Sequence, residues 1–147
     1  MNLSEKIEAD LVGALKNKET DKVEVLRFLK SVLHNAKIAK REDLTNAEVE
    51  KQIASEIKRR TEAITQFQAG GREDLAQKDT QALEILKKYL PEQLPEAEIE
   101  KIIREQIGAV NAQGPRDFGK VMGSVMAKVG TQADGKMVQV LVKKLLT

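Results

Sequence analysis

Hydrophobic residues recur in steps of three and four along the first two thirds of the chain. This spacing places them on one face of an α-helix, whereas a half-buried strand would alternate apolar and polar residues. Alternation of that kind is found nowhere in the sequence. The pattern therefore predicts an all-α protein whose N-terminal part is a helical bundle of about four helices. The four apolar stripes are Leu3, Ile7, Leu11 and Leu15; Leu26, Leu29, Val32 or Leu33, and Ala36; Val49, Ile53, Ile57, Ile64 and Phe67; and Leu75, Ala82, Leu86 and Leu90.

Polar residues beside these stripes predict where helices begin and end. Asp21 with Glu24, and Thr45 with Glu48, have the spacing of a capping box, in which side chains bond the first backbone N–H groups of a helix. The third stripe ends at a double glycine, residues 70–71, and glycine often stops a helix because it accepts a positive φ. We therefore expect helices to begin near both boxes and one to end at the double glycine.

Two prolines, Pro91 and Pro95, mark a break after the fourth stripe. Proline lacks a backbone donor and disfavours helix in the residue before it. We therefore predict two domains, an N-terminal bundle over 1–92 and a C-terminal three-helix domain over 93–147, with Pro95 in the first turn of the next helix. The three helices are expected from Ile99 to about Val110, from Asp117 to about Val129, and from Lys136 to Leu146.

The middle helix of the C-terminal domain carries Gly119 and Gly123, although glycine destabilises a helix interior by roughly 1 kcal/mol relative to alanine. Its apolar residues form one buried face, so the glycines share a neighbouring face, where the missing Cβ atoms let another backbone approach closely. That backbone is a partner helix or a sugar–phosphate chain, and small residues four apart are also common in ordinary tight helix packing. Lys120, Ser124 and Lys128 form a ridge beside the glycines, which favours an anion-binding surface.

The last helix adds charge of the same sign. Asp134 is placed to cap it, Gly135 leaves its first N–H groups unobstructed, and Lys136 follows. Lys143 lies near its C-terminus, where a cation also favours the helix dipole. Residues 115–147 hold six basic and two acidic residues, although the formal net charge of the chain is only +2. A local positive field can steer an anionic partner; the plainer interpretation is a solvated face of ordinary lysines.

The composition argues against several classes of function. The chain has 147 residues and no cysteine, which excludes disulfides, thiolate nucleophiles and cysteine-based metal sites. We see neither a signal peptide nor an apolar run long enough to span a membrane, so we expect a soluble, cytoplasmic protein without membrane association. His34 is the only histidine and is expected on a helix surface rather than in catalysis. Without a phosphate loop, nucleophile elbow or ligand cluster, the sequence predicts no catalytic residue, no cofactor and no metal site.

Two arginines of the N-terminal part, Arg60 and Arg27, lie close to its apolar stripes, which suggests internal ion pairs or a contact between domains. Arg60 falls near the third stripe, and we expect it to be partly buried and paired with a carboxylate such as Glu24 or Glu56. Arg27, amid the second stripe, is expected to be in the same situation. Arg72 follows the double glycine and could meet the end of the preceding helix or the second domain.

Several segments, in order, resemble one known family. The stretch "DFGKVMGSVMAKV…ADGKMVQVLVKKLL" is similar to the C-terminal domain of GatB, the tRNA-binding subunit of the tRNA-dependent amidotransferases. The whole chain resembles the free-standing YqeY family, also through "VLRFLKSVLHNAKIAKRE", "EIKRRTEAITQFQAGGREDLA" and "LKKYLPEQLPEAEI". The resemblance implies an N-terminal helical bundle and a small C-terminal three-helix domain, and in GatB the corresponding domain contacts tRNA.

From this resemblance we expect a tRNA-binding accessory protein related to the amidotransferases, which are carbon–nitrogen ligases with glutamine as amide donor, and no catalytic activity by this chain alone. A tRNA-modifying or aminoacylating enzyme is a further expected partner, and the oligomeric state is left open. The alternative is a helical protein-interaction module whose glycine groove receives a partner helix. The residues expected to contact the tRNA backbone are Lys120, Lys128, Lys136, Lys143, Gly119, Gly123 and Ser124.

Overall fold

The computed structural model describes residues 1–146, which form seven α-helices and two short 3-10 turns and, within that range, no β-strand. The prediction of an all-α protein is confirmed. The contacts divide the chain into two compact units, one ending at Leu90 and one beginning at Pro91. The helices are α1 Leu3–Lys16, α2 Thr20–Lys40, α3 Asn46–Ala69 and α4 Glu73–Lys87 in the first unit, and α5 Glu96–Ala109, α6 Phe118–Val129 and α7 Gly135–Leu145 in the second.

The core of the first unit is built from all four apolar stripes. Helix α1 packs on α2, α3 packs on α4, and α2 also contacts α4. The first stripe leaves the core before its end: Leu15 is 45% exposed, and Ala14 is buried in its place. A step of four residues overshoots one helical turn by about 40°, so a stripe in steps of four drifts around the helix. Buried members of this core include Ile7, Leu11, Leu26, Leu29, Val49, Ile53 and Leu86.

One of the two predicted capping boxes is present. Thr45 Oγ1 accepts a hydrogen bond from the backbone N–H of Glu48 at 3.2 Å, and Glu48 Oε1 accepts one from the N–H of Thr45 at 3.1 Å. Helix α3 then runs to the double glycine, where the positive φ, +72°, belongs to Gly71. The capping box at the start of α3 and the helix stop after it are therefore confirmed.

The other predicted capping box, Asp21 with Glu24, was wrong. Helix α2 begins at Thr20, and no side chain caps its first N–H groups. Asp21 therefore already lies inside the first turn, where its carboxylate still faces the positive end of the helix dipole. The Glu24 carboxylate pairs instead with Lys78 of α4, at 3.2 Å.

Arg60 joins α3 to α4 through two carboxylates. Its Nε donates to Glu56 at 3.1 Å, and its Nη1 donates to Asp79 of α4 at 2.9 Å. Glu56, which is 6% exposed, also accepts a hydrogen bond from Arg59 at 2.7 Å. The predicted pairing of Arg60 with Glu56 is confirmed, whereas the similar expectation for Arg27 is wrong, because that residue is exposed on α2.

Arg72 lies in the turn between α3 and α4. Its backbone N–H donates to the Phe67 carbonyl at 2.8 Å, so it does meet the end of the preceding helix. Its side chain turns the other way and pairs with Asp74 at 3.2 Å.

Tyr89 closes the first unit near its last residue. Its hydroxyl donates to Asp10 of α1 at 2.6 Å, and the residue is only 8% exposed. The Lys6 amino group lies 5.8 Å from the centre of its ring. Burial, followed by the hydrogen bond to the Asp10 carboxylate, raises the pKa of Tyr89 far above its usual range.

In the second unit, α5, α6 and α7 all contact one another. Pro95, expected in the first turn of α5, is instead the residue just before it. The backbone N–H of Leu94 donates to the carbonyl of Gln132 at 2.8 Å, which ties the entry of α5 to the connector between α6 and α7. The core includes Ile99, Ile103, Val121, Val125, Val138 and Val142.

Among residues 1–146, no helix combines the length and the apolar character that crossing a bilayer would require.

Candidate nucleic-acid interface

Helix α6 buries one side and exposes the other. Val121, Val125 and Val129 are buried in the core of the second unit, and Phe118 with Met122 packs at its edge. An α-helix turns 100° per residue, so the positions opposite these apolar residues must lie on the surface. Gly119 and Gly123, which the sequence predicted to be part of the binding surface, occupy these outward positions of α6.

The glycine face is open. Gly119 and Gly123 are both exposed, as is Ala127 one turn further on. A Cβ atom built on either glycine would meet no neighbouring atom within 4 Å. Neither glycine has the positive φ that would require this residue type. Internal packing therefore does not account for these glycines within the described residues, and the face is accessible to a close approach from outside.

The two lysines of α6 lie near its two ends. Lys120 is in the first turn, Lys128 is in the last, and both are exposed. Eight residues of helix separate them by about 12 Å along the axis. Within residues 1–146 neither amino group takes part in an ion pair. Both positive charges are therefore uncompensated by carboxylates of the described chain.

Ser124 lies on the side of α6 that faces α5. Its hydroxyl is hydrogen-bonded to Gln106 of α5 and is partly buried. The structure thus separates Ser124 from the open glycine face, although the sequence had grouped them. The hydroxyl proton of Ser124 is engaged within the unit, while the glycines are open to the outside.

Helix α7 brings its lysines to the two ends of α6. Asp134 caps α7 as predicted, accepting a hydrogen bond from the backbone N–H of Lys136 at 3.3 Å. Lys136 is exposed in the first turn of α7, just beyond the short connector from the end of α6. Lys143, in the last turn, places its amino group 5.7 Å from the centre of the Phe118 ring, at the start of α6. The two helices therefore run antiparallel.

The four predicted lysines are accordingly divided between the two ends of the helix pair. Lys128 and Lys136 belong to the end of α6 and α7 that carries the connector, and Lys120 and Lys143 to the other end. The two acidic residues of this segment are engaged by backbone N–H groups: Asp134 by the first turn of α7, and Asp117 by Gln113 at 2.8 Å. The arrangement suits an extended anion better than a single small one, because its charges are distributed along the helices.

Sequence reasoning missed three side chains of this region. Gln106 binds Ser124, Phe118 lies under Lys143, and Val140 on α7 is 65% exposed. Helical spacing could have indicated Val140, because that position falls opposite the buried Val138 and Val142. The two side-chain pairs depend on how the helices are rotated against each other, and the pattern along one helix does not contain that information.

Two clefts lie in the first unit. One, of about 270 Å³, lies beside Arg60 and Asp79, and another, of about 330 Å³, lies beside His34. His34 is exposed on α2, as expected. Within the described part of the chain, no three side chains of the types that ligate metals come together in a possible metal site.

Comparison with known proteins adds a family relationship. The model of a family described as Yqey-like protein matches residues 4–146. Altered inheritance of mitochondria protein 41, mitochondrial, of Pyrenophora tritici-repentis is 26% identical over 144 residues, which is 96% of this chain and 79% of that protein. An uncharacterized protein of Schizosaccharomyces pombe is 30% identical over 91 residues, 62% of this chain and 74% of that one. The E subunit of the glutamyl-tRNA(Gln) amidotransferase of Thermococcus sibiricus is 47% identical over 55 residues, 35% of this chain and 9% of that protein.

Proposed function

This chain belongs to the family of Yqey-like proteins, and from that membership we propose that it is a tRNA-binding accessory protein of the tRNA-dependent amidotransferase system. The family recognised from the sequence, and its kinship with amidotransferase subunits, are confirmed. The matched stretches correspond to only 9% and 12% of the length of the E subunits of two glutamyl-tRNA(Gln) amidotransferases. The shared part is therefore a small piece of a larger enzyme, which supports a binding role rather than the whole reaction for this chain.

One observation carries the proposal: helix α6 combines two lysines, Lys120 and Lys128, that are exposed and without carboxylate partners among residues 1–146, with two exposed glycines that have open space where a Cβ atom would be. A polyanionic backbone needs both cations and room to approach, because bulky side chains would hold phosphates away from the helix.

In this proposal Lys120, Lys128, Lys136 and Lys143 contact phosphates. Gly119 and Gly123 let the backbone approach α6. Ser124 makes at most a minor contact, because its hydroxyl bonds Gln106.

We propose that the shape of the RNA, rather than its bases, is recognised. Aromatic residues make up 3% of the chain, so few rings are available to stack on unpaired bases. Lysine side chains bind phosphate as mobile point charges and carry little sequence information. A folded RNA such as tRNA, which presents its backbone in a fixed shape, fits this set of contacts.

A protein partner is the second candidate. The exposed Val140 and the small residues of α6 would suit the close packing of a partner helix, with the lysines as charges at the rim. The two candidates differ in their response to salt. Binding that neutralises phosphates weakens steeply as salt rises, whereas binding through buried apolar area changes little.

The test is a titration of unfractionated tRNA with the full chain at increasing salt. If four lysines contact phosphates, the slope of log affinity against log salt should be about −3, at roughly 0.7–0.9 per phosphate. The variant Lys120→Glu, Lys128→Glu, Lys136→Glu should lose binding while keeping its helical circular dichroism.

The matched control carries the same three charge reversals on exposed lysines of the first unit: Lys16→Glu, Lys51→Glu and Lys88→Glu. It should lose much less affinity, although its net charge changes by the same amount. No binding by the unaltered chain at low salt would reject the proposal. Equal losses of affinity in both variants would reject this site, because the RNA would then bind elsewhere or respond only to the net charge of the chain.

We propose further that the second unit works as a separate C-terminal domain and that an aminoacylating or tRNA-modifying enzyme is its partner.

The cellular compartment of the protein stays a prediction. The composition of the chain suggested the cytoplasm, whereas the Pyrenophora relative is named as mitochondrial. Fractionation of the native cells, with the protein detected by antibody, would decide between the two.

A further inference from the structure

We propose that Phe118 is a positioning residue of this surface: its ring holds the Lys143 amino group at the start of α6, where that group meets an RNA phosphate. The proposal rests on the proposed function and assigns a role to a residue that the sequence had placed only in the core. It also predicts that the phosphate contact made by Lys143, at the start of α6, is better ordered than the contacts made at the end of α6.

The geometry is that of a cation held over an aromatic face. The Lys143 amino group lies 5.7 Å from the centre of the Phe118 ring, within the distance at which the ring attracts a cation. Lys143 is exposed in the last turn of α7 and has no ion pair within residues 1–146. The amino group therefore lies against the ring, and a ring does not neutralise the charge as a carboxylate would.

Apolar packing alone does not require an aromatic residue at position 118. Phe118 is only partly buried and packs at the edge of the second unit's core. It is the only aromatic residue between positions 91 and 147, where every other large apolar side chain is Leu, Ile, Val or Met. Those aliphatic side chains could fill the same edge, but none of them offers a face that attracts a cation.

Holding the lysine affects RNA binding through entropy. A free lysine has four rotatable side-chain bonds and loses that freedom when it binds a phosphate. A lysine already held near the start of α6 has less to lose, so it binds more tightly. The ring, with an amino group above it, is less available to stack on a base, which agrees with recognition of the backbone.

The experiment is a double-variant cycle in the full chain, with unfractionated tRNA as the probe. Phe118→Leu should weaken binding about 2–5-fold, because the advantage of holding the lysine in place cannot exceed the energy of the exposed cation–π contact that holds it. Phe118→Tyr keeps the ring and should retain the affinity. Lys143→Gln should weaken binding and make the salt slope shallower by about 0.7–0.9. In the Lys143→Gln background, Phe118→Leu should have no further effect.

A second measurement tests the positioning without RNA. In the free protein the methylene protons of Lys143 next to its amino group should show an upfield ring-current shift by NMR, which Phe118→Leu removes and Phe118→Tyr keeps. If Phe118 only filled the edge of the core and Lys143 moved freely in solvent, this shift would be absent.

The outcomes separate the two proposals. If the unaltered chain binds tRNA and the effects of Phe118→Leu and Lys143→Gln multiply independently, the positioning role is rejected and the proposed function stands. Unchanged affinity for Phe118→Leu, or the absence of the ring-current shift, would also reject it. If the unaltered chain binds no tRNA at low salt, both proposals are rejected.

Discussion

Replacing Gly123 by alanine, alone and together with Gly119, tests whether these glycines serve RNA binding or have no role beyond their place in the helix. Both residues are exposed, neither has a positive φ, and a Cβ on either would meet no neighbouring atom within 4 Å. The folded protein can therefore accept both methyl groups without strain. Alanine should stabilise the protein, because it restricts the unfolded chain more than glycine does.

The size of the gain follows from position. Gly123 is in the middle of α6 and should give about 1 kcal/mol, whereas Gly119, in the first turn, should give less. A gain of about 1 kcal/mol corresponds to a rise in Tm of about 8 °C if the second unit unfolds by itself, or about 3 °C if the whole chain unfolds in one transition.

Binding should change in the opposite direction. Two methyl groups on the open face hold an approaching backbone away and cost at least one charge-assisted hydrogen bond, worth about 1.5–3 kcal/mol. We therefore expect the double variant to bind tRNA at least about tenfold more weakly. Calorimetry gives the stability, and fluorescence anisotropy with labelled tRNA gives the affinity.

Gly13 supplies the matched control. It lies inside α1, and an added Cβ there would also meet no atom within 4 Å. Gly13→Ala should raise stability by a similar amount and leave tRNA binding unchanged. If the double variant at 119 and 123 binds tRNA as well as the unaltered chain does, the glycines do not serve to admit the RNA backbone. If that variant is less stable than the unaltered chain, the face is not open.

Three further predictions concern stability. Tyr89→Phe removes the hydrogen bond to Asp10 and should cost about 1.5–3 kcal/mol in urea unfolding at pH 7. Because the folded protein raises the pKa of Tyr89, this stabilisation is fully present below about pH 10 and lost at higher pH, so the gap between the two proteins should narrow there. Glu56→Gln should cost about 2–3 kcal/mol, less than for a fully buried pair, because Arg60 keeps its bond to α4. Asp134→Ala removes the cap of α7 and should cost about 1 kcal/mol by thermal unfolding.

Each of these has a control and an outcome that contradicts it. A constant gap for Tyr89→Phe between about pH 9 and the alkaline limit of folding would show that the hydroxyl is not held as a proton donor. For Glu56, Lys58→Gln changes an exposed charge on the same helix and should be nearly neutral; equal losses would mean that burial of the carboxylate is unimportant. Asp134→Ser should restore most of the lost stability, and a failure to do so would assign the loss to something other than the cap.

Helical periodicity predicted most of the residues that face the core, because that information repeats every turn, although Leu15 drifts out of the core. Val121, Val125 and Val129 are buried, and Gly119 and Gly123 are exposed, as the spacing required. Of the two capping boxes predicted from the sequence, only one is present. The Thr45 box formed, whereas the box at Asp21 failed because the cap position of α2 is Glu19, two residues earlier. A shift of one or two residues places a predicted cap residue inside the helix, and spacing alone does not determine the shift.

The spacing of apolar residues along one helix could not predict side-chain contacts between helices. The bonds from Ser124 to Gln106 and from Tyr89 to Asp10 join residues 18 and 79 positions apart. Their formation depends on how each helix is rotated and how closely it approaches its neighbour. Arg60 was the partial exception, because Glu56 lies one turn before it on the same helix, while its second partner on α4 was not foreseen.

The bond between Tyr89 and Asp10 has a consequence during protein synthesis. A ribosome adds roughly 5–20 residues each second, so Asp10 emerges roughly 4–16 s before a partner that is 79 positions later. Through that interval α1 can pair with α2, but it lacks the contact that holds it to the segment just after α4. Since Tyr89 precedes the last residue of the first unit by only one position, this contact becomes possible just as the next unit begins to emerge from the ribosome.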